Sequence, residues 1–319
     1  MLDSPIYCPA PDYQLQLRPN GDVGVCCYHF GIKLGNVNTH TLLEMWNGRK
    51  LKKLRDEFKT QSIKTCRSRT KHQRCHQRIS PLNSGESLNN ERPKKLEVRL
   101  NGTCNLQCVM CDVWQQPRGV YTEANFWNEA RKEIFPFLNE VEILGGEPFV
   151  QTDTFKIIAE IQKVNERCFF SFVTNGHYPW TQRLAHTFES IRLRRLHISL
   201  DSLDSKTYSS IRRSGNLDLV METLPKLVSA AKTQNADLAF SMCVLQSNYH
   251  EIPQFLLFCK EHEATAILQY AFHDPSKQES LKYLSRNQRE DIAEQILSKT
   301  EHAEIEGVHE IISALREFD

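Results

Sequence analysis

From Lys95 onward the sequence alternates short β-rich runs with amphipathic helical stretches, and it does so six times. The strand runs are KLEVRL, EVEILGG, CFFSFVTNG, RRLHISLDS, DLAFSMCVL and ATAILQYAF. Helices are expected near Glu123 to Leu138, Thr154 to Asn165, Pro179 to Ser190, Leu217 to Gln234 and Ile252 to Glu263, with a polar helical tail after the last strand. Strands joined in series by helices run parallel, because each helix returns the chain to the same end of the sheet. The fold class is therefore α/β, as an open doubly wound sheet or as a partial barrel. In either, ligands gather where the C-terminal ends of the strands meet the following loops.

Residues 79 to 94, ISPLNSGESLNNERPK, are rich in Ser, Asn and Pro and lack apolar periodicity, which marks a linker. The expected division is a small α+β unit at 1–82, a linker at 83–93 and the α/β unit at 94–319. The upstream unit holds two hairpin-like runs, YQLQLRP and VGVCCYHF, around the turn Asn20-Gly21-Asp22, then one amphipathic helix over TLLEMWNGRKLKKLRDEF. At 319 residues the chain can bury a core in both parts. No run approaches the ~20 apolar residues of a spanning helix, so no membrane partner is expected. The opening MLDSPIYCPAPDYQ has neither a basic nor an apolar leader segment, and a reducing, cytoplasmic setting is the expectation.

Eleven cysteines then need a chemical explanation. In a reducing compartment, cysteines at short spacing read as metal or iron–sulfur ligands and scattered ones as small core hydrophobes. Cys168, Cys243 and Cys259 sit in apolar strand or helix patterns and are expected in the core, with Cys243 the candidate if one of them is catalytic. Cys104, Cys108 and Cys111 fall within NGTCNLQCVMCDVW, in the loop after the first strand of the alternating series. An irregular loop can point three sulfurs at one centre, where a helix or strand would spread them. Three thiolates so placed hold three irons of a cubane 4Fe-4S cluster and leave one iron free for an outside amine and carboxylate.

The second strand ends in Gly145, Gly146, Glu147 and Pro148, the third in Thr174, Asn175 and Gly176, and the fourth in HISLDS with Ser199 and Asp201. The Cys-x3-Cys-x2-Cys loop and these strand ends, in this order, resemble the radical SAM superfamily over residues 94 to 272. The resemblance implies a partial (β/α)6 barrel whose cluster binds S-adenosylmethionine (SAM). It further implies that the Gly145-Gly146-Glu147 backbone binds the methionine ammonium and that Asn175, Ser199 and Asp201 belong to the cofactor's surroundings. Arg212, in YSSIRRSG, would pair with its carboxylate, with Arg213 as rival. Met110 stands where an aromatic residue usually covers the adenine.

Upstream, Cys8, Cys26, Cys27, Cys66 and Cys75 resemble the SPASM or shorter twitch extension, which carries auxiliary 4Fe-4S clusters. Here it precedes the barrel rather than following it. Five thiols allow one auxiliary cluster, on Cys8, Cys26, Cys66 and Cys75 with Cys27 as alternate; a four-cysteine zinc site is the other reading. The implied activity is one-electron cleavage of SAM to a 5′-deoxyadenosyl radical, which takes a hydrogen atom from a peptide or small polar substrate for an oxidation or other modification. A flavodoxin or ferredoxin would supply the electron. Residues 1–100 carry 18 Lys and Arg against 9 Asp and Glu, while the rest carries 22 against 30. The basic stretch Arg49 to Arg78 is either a solvated face or a lure for an anionic substrate. A non-catalytic iron–sulfur or zinc protein binding nucleic acid through that face is the alternative, disfavoured because the stretch has almost no aromatic residues on which bases could stack.

Overall fold

The computed structural model describes residues 8–26, 32–66, 91–271, 279–300, 305 and 307–317. Its strands, among the described residues, are β1 (Gln14–Leu17), β2 (Asp22–Gly24), β3 (Gly35–Asn36), β4 (Lys95–Val98), β5 (Gln107–Cys108), β6 (Glu140–Ile143), β7 (Phe169–Thr174), β8 (Arg192–Ser199), β9 (Arg212–Arg213), β10 (Asp237–Val244) and β11 (Thr265–Tyr270). Each of the six expected strand runs contains one of them, and a helix follows β4, β6, β7, β8, β10 and β11. The fold is α/β with mostly parallel strands, as the alternation requires. Two compact units divide the chain: 1–102, 116–145 and 152–170 in the first, and 103–115, 146–151 and 171–319 in the second.

In the first unit, β4 pairs in parallel with β6 on one side and with β1 on the other. The expected hairpin forms as β1 antiparallel to β2, and a short β3 extends it. Leu15, Leu17, Leu96, Val98, Val141 and Ile143 are buried on one face of these strands. The alternate positions carry a polar ladder in register: Gln14, Lys95 and Glu140 in one row, Gln16, Glu97 and Glu142 in the next. The Lys95 ammonium reaches Glu142 at 2.7 Å and Glu140 at 3.6 Å, and Gln16 Nε2 donates to Glu97 Oε1 at 2.7 Å. Residues 83–90 of the expected linker lie outside the described residues.

The single amphipathic helix expected after the hairpin is in fact two, Leu42–Trp46 and Arg49–Lys59. A capping box between Thr41 and Glu44 starts the first, and Gly48 in an extended conformation breaks the run and starts the second. Leu51, Leu54 and Phe58 face inward, while Arg49, Lys50, Lys52, Lys53 and Lys59 are exposed.

In the second unit the strand order is β11-β10-β8-β7, and β10 is parallel to both β8 and β11. Phe149, Phe172, Tyr178 and Phe188 form an aromatic cluster, with Trp180 stacked on Phe188 at 5.5 Å between centroids. The tail helix Val308–Glu317 lies against β11 and buries Ile311, Ala314 and Leu315, covering a strand edge that would otherwise be open to pairing.

Candidate active site

The chain leaves β4 into an irregular loop that holds the two-residue β5 and a 3-10 turn at Val113–Gln115. β5 pairs antiparallel with β9, placing Cys108 opposite Arg212, and Val109 N–H donates to the Ile211 carbonyl at 2.9 Å. The cysteine loop is thereby stapled to the segment after β8. Cys104, Cys108 and Cys111 are half-buried. Leu106 N–H points at Cys104 Sγ and Val113 N–H at Cys111 Sγ, both at 3.4 Å, and Asn175 Nδ2 lies 3.9 Å from Cys104 Sγ. Such N–H groups stabilise sulfur that carries negative charge and tune the cluster it binds.

Burial pushes the Cys104 thiol up to about 11, against the pull of Leu106 N–H, and the Cys108 thiol up to about 12, against that of Arg212. Thiolates in this loop therefore need cationic compensation, which iron supplies on binding. Three thiols in one short loop form a donor set that suits an iron–sulfur cluster, in which each thiol takes its own iron.

Gly145 and Gly146 both have positive φ, +88° and +59°. A Cβ on Gly146 would stand 2.1 Å from the carbonyl oxygen of Thr103, the residue before Cys104. Only glycine permits that approach. Glu147 N–H closes the same contact by donating to the Thr103 carbonyl at 2.9 Å. The Glu147 carboxyl turns inward and is fully buried, accepting from Asn175 N–H (2.7 Å), Phe149 N–H (3.0 Å) and the Thr174 hydroxyl (2.8 Å). Burial raises its pKa to about 7 despite those donors. Thr174 shares a second hydrogen bond with the buried Tyr178 hydroxyl at 2.9 Å.

Asn175 Nδ2 donates to Asn105 Oδ1 at 3.0 Å, and Asn105 in turn donates to the His177 carbonyl. The end of β7 is thus tied to the residue after Cys104. His177 Nε2 accepts from Asn216 N–H at 3.0 Å. After β8, Asp201 adopts φ +63°, unusual for a residue with a side chain. Its Oδ1 accepts Cys243 N–H at 2.7 Å, and Asn248 Nδ2 spans the Asp201 and Cys243 carbonyls at 2.7 and 2.9 Å. Asp201 also meets Arg212 in an ion pair at 2.8 Å. Burial alone would lower the Arg212 pKa, but Asp201 and Cys108 raise it.

Arg212 is buried and its rival Arg213 exposed. After pairing with Asp201, Arg212 keeps a buried Nε–H with no hydrogen-bond partner among the described residues. A buried donor left over in this way fits an incoming carboxylate. Ser199 receives the Ser241 hydroxyl at 3.4 Å. Cys243 packs with Val109, Ile211, Leu245 and Ala271, and Met110 joins that apolar cluster. Cys168 and Cys259 are buried in the core. In the first unit Cys8, Cys26 and Cys66 are half-buried, while Cys27 and Cys75 lie outside the described residues. Sequence reasoning missed Asn105, His177 and Asn248. Asn105 and His177 directly follow the Cys104 and Thr174-Asn175-Gly176 positions, and that adjacency was the available signal.

The family model described as Radical SAM superfamily matches residues 98–259, about half of the chain. The chain belongs to the radical SAM superfamily. A second model, described as an iron-sulfur cluster-binding domain of the SPASM type, matches residues 8–76. The cofactors of this radical SAM enzyme are accordingly a 4Fe-4S cluster and SAM, with auxiliary iron–sulfur binding in the N-terminal segment.

Curated relatives include the GTP 3′,8-cyclases of Marinobacter nauticus, 30% identical over 52% of this chain and 51% of the relative, and of Lactiplantibacillus plantarum, 29% identical over 53% and 52%. The chain spans about half the length of these relatives. Among solved structures, similarity extends to anSMEcpe with bound AdoMet and a Cp18Cys peptide (14% identity, TM-score 0.49, covering 64% of this chain and 58% of that one). It extends also to Streptococcus suis SuiB (14% identity, TM-score 0.46, covering 92% and 70%). Among the described residues no helix is long and apolar enough to cross a membrane.

Proposed function

We propose that this radical SAM enzyme acts on a small anionic substrate of the nucleotide class, and that its net reaction is a rearrangement or ring closure within that substrate. The substrate reading is supported by sequence relatives that are GTP 3′,8-cyclases. Ring closure is one of the modifications, besides oxidation, that the sequence allows; it returns one electron and one proton to the substrate radical and so requires no terminal electron acceptor. A cytoplasmic setting with a flavodoxin or ferredoxin as donor accompanies it.

In this reading Cys104, Cys108 and Cys111 hold the radical-generating cluster. The observation that carries it is the stapled loop, which keeps Cys104 and Cys111 beside backbone donors, Cys108 opposite Arg212, and Thr103 against Gly146. When bound, the cluster and SAM supply one-electron chemistry ending in hydrogen-atom abstraction. The protein's own part is positioning. Gly145 and Gly146 present bare backbone, Asn175 and Asn105 tie two strand-end loops together, and Arg212 offers its spare Nε–H to a carboxylate. Ser199 and Asp201 complete the polar lining, and Cys8, Cys26, Cys66 and Cys75, with Cys27 as alternate, hold the auxiliary cluster.

The test is to reconstitute the protein with iron and sulfide, reduce it, and follow 5′-deoxyadenosine formation from SAM with and without GTP as the probe nucleotide. Formation stimulated by GTP is the expected result. Well-loaded protein that makes no 5′-deoxyadenosine under any condition overturns the enzyme assignment to these residues; formation indifferent to nucleotides and stimulated by a peptide overturns the substrate class.

A further inference from the structure

The helix Arg49–Lys59 exposes most of its charged residues, but the Glu57 carboxylate is buried and the Arg55 side chain is only 14% exposed. A charge withdrawn from water needs partners. Those of both residues lie beside cysteines. Glu57 Oε2 accepts Lys64 N–H at 3.0 Å and Thr65 N–H at 2.6 Å, and Glu57 Oε1 accepts the Thr65 hydroxyl. The helix has ended at Lys59, so Glu57 reaches past its own element and fastens the backbone directly ahead of Cys66.

Arg55 fastens a second cysteine segment. Its Nε donates to the Pro11 carbonyl at 2.9 Å and meets the Asp12 carboxylate at 3.2 Å. Its Nη1 donates to the Trp46 carbonyl at 3.1 Å, and its guanidinium lies over the Trp46 ring, 4.3 Å from the centroid. Pro11 and Asp12 belong to the one-turn helix Ala10–Tyr13, which opens two residues after Cys8. That turn is followed by Gln14, whose Nε2 donates to the carbonyl of Val25, the residue before Cys26, at 2.9 Å. The segments of Cys8, Cys26 and Cys66 are therefore tied together by Gln14, Arg55 and Glu57, and each tie falls within three residues of a thiol.

We propose that Arg55 and Glu57 are positioning residues for the auxiliary cluster, Arg55 acting through the Cys8 segment and Glu57 through Cys66. The inference rests on the reading above that these thiols hold that cluster. Partners that fix a ligand's backbone from outside orient it toward the metal, and their loss typically weakens metal binding by about 10–100-fold.

The test uses the full chain, reconstituted with iron and sulfide, on a Cys104→Ala background, where the remaining iron, about four per chain, belongs to the auxiliary cluster. Glu57→Gln replaces one acceptor oxygen by an amide group that meets N–H donors, and Arg55→Lys loses the planar fork. Each is expected to speed iron release to an external chelator at least tenfold and to change the electron paramagnetic resonance spectrum of the reduced cluster. Glu129→Gln is the control: a half-buried carboxylate of the same unit that accepts Leu42 and Leu43 N–H, both at 3.4 Å, away from any cysteine. It should release iron at the parent rate and keep the parent spectrum, although it too removes a carboxylate from backbone donors. If circular dichroism shows that Glu57→Gln does not fold, Thr65→Val, which removes the hydroxyl tie alone, is expected to speed release severalfold in its place. Release at the parent rate in either variant overturns the role of that residue, and equal acceleration by Glu129→Gln overturns both. Cys66→Ala with Cys104 intact separates the two claims. Iron that stays near eight per chain there overturns the ligand reading itself. A fall to about four, with parent-rate release in Glu57→Gln and Arg55→Lys, overturns the positioning role alone.

Discussion

The guanidinium of Arg212 and the carboxylate of Asp201 meet 2.8 Å apart with only 6% and 2% of their side chains exposed, directly across the β5–β9 pairing from Cys108. Removing one partner of such a pair leaves an uncompensated buried charge and costs about 3–5 kcal/mol. Asp201→Ala also frees Cys243 N–H, so its unfolding free energy, measured in urea, is expected to fall by that amount. Asp201→Asn combined with Arg212→Met should lose less than the sum of the two single-variant losses, as read in a double-mutant cycle. Losses that simply add would mean that the pair does not couple.

Gly146→Ala places a Cβ 2.1 Å from the Thr103 carbonyl and imposes φ +59° on alanine. The loop before Cys104 must then move. Iron incorporation and SAM affinity are both expected to fall at least tenfold. Gly119→Ala is the control: φ there is +74° but nothing lies within 4 Å, so only backbone strain of about 1–2 kcal/mol is paid and iron content should stay at the wild-type value. Equal iron loss in both variants would make the effect one of general backbone strain.

Glu147 gives the unloaded protein a pH signature. Burial raises its folded-state pKa to about 7, against an ordinary value of 4.5. Between those values the folded state keeps a proton that the unfolded chain has released, so stability falls as pH rises through that window, by about 3 kcal/mol in all. The groups facing it are the Thr174 hydroxyl, Tyr178, Arg212 and the N–H groups of Asn175 and Phe149. The Tyr178 pKa is pushed well above its ordinary value and that of Arg212 is raised, so neither titrates in this range. Denaturation of Glu147→Gln across pH 4.5 to 8 should show a flatter profile than wild type; an unchanged slope would assign the dependence to other groups.

The strand–helix alternation, the cysteine loop and the three strand-end motifs were legible because each is a local pattern set by period, spacing or turn chemistry. What escaped notice depends on register. QLQLR and KLEVR alternate identically, but nothing local to either says that β1 pairs in parallel with β4 across the intervening 77 residues and aligns Gln16 with Glu97. The break at Gly48 escaped because the apolar spacing of TLLEMWNGRKLKKLRDEF continues through it, while the capping that decides the matter involves Thr41, Glu44 and the extended Gly48. The Arg212–Asp201 pair was hidden for a similar reason. Both residues were singled out as facing the cofactor, whereas their mutual attraction depends on the staple that β9 makes with β5.

The cysteines themselves provide the last test, since their proposed partition is a matter of stoichiometry. If Cys104, Cys108 and Cys111 hold one cluster and the N-terminal thiols another, loaded protein should contain about eight irons per chain, and Cys104→Ala about four. That variant should lose 5′-deoxyadenosine formation completely while keeping the visible absorption of the remaining cluster. Cys26→Ala should give the converse: about four irons, with SAM cleavage retained. Iron and sulfide analysis after anaerobic reconstitution reads both. Loss of all iron on substituting Cys104 alone would show that the two sets do not load independently, and iron that stays near eight in Cys26→Ala would remove that thiol from the ligand set.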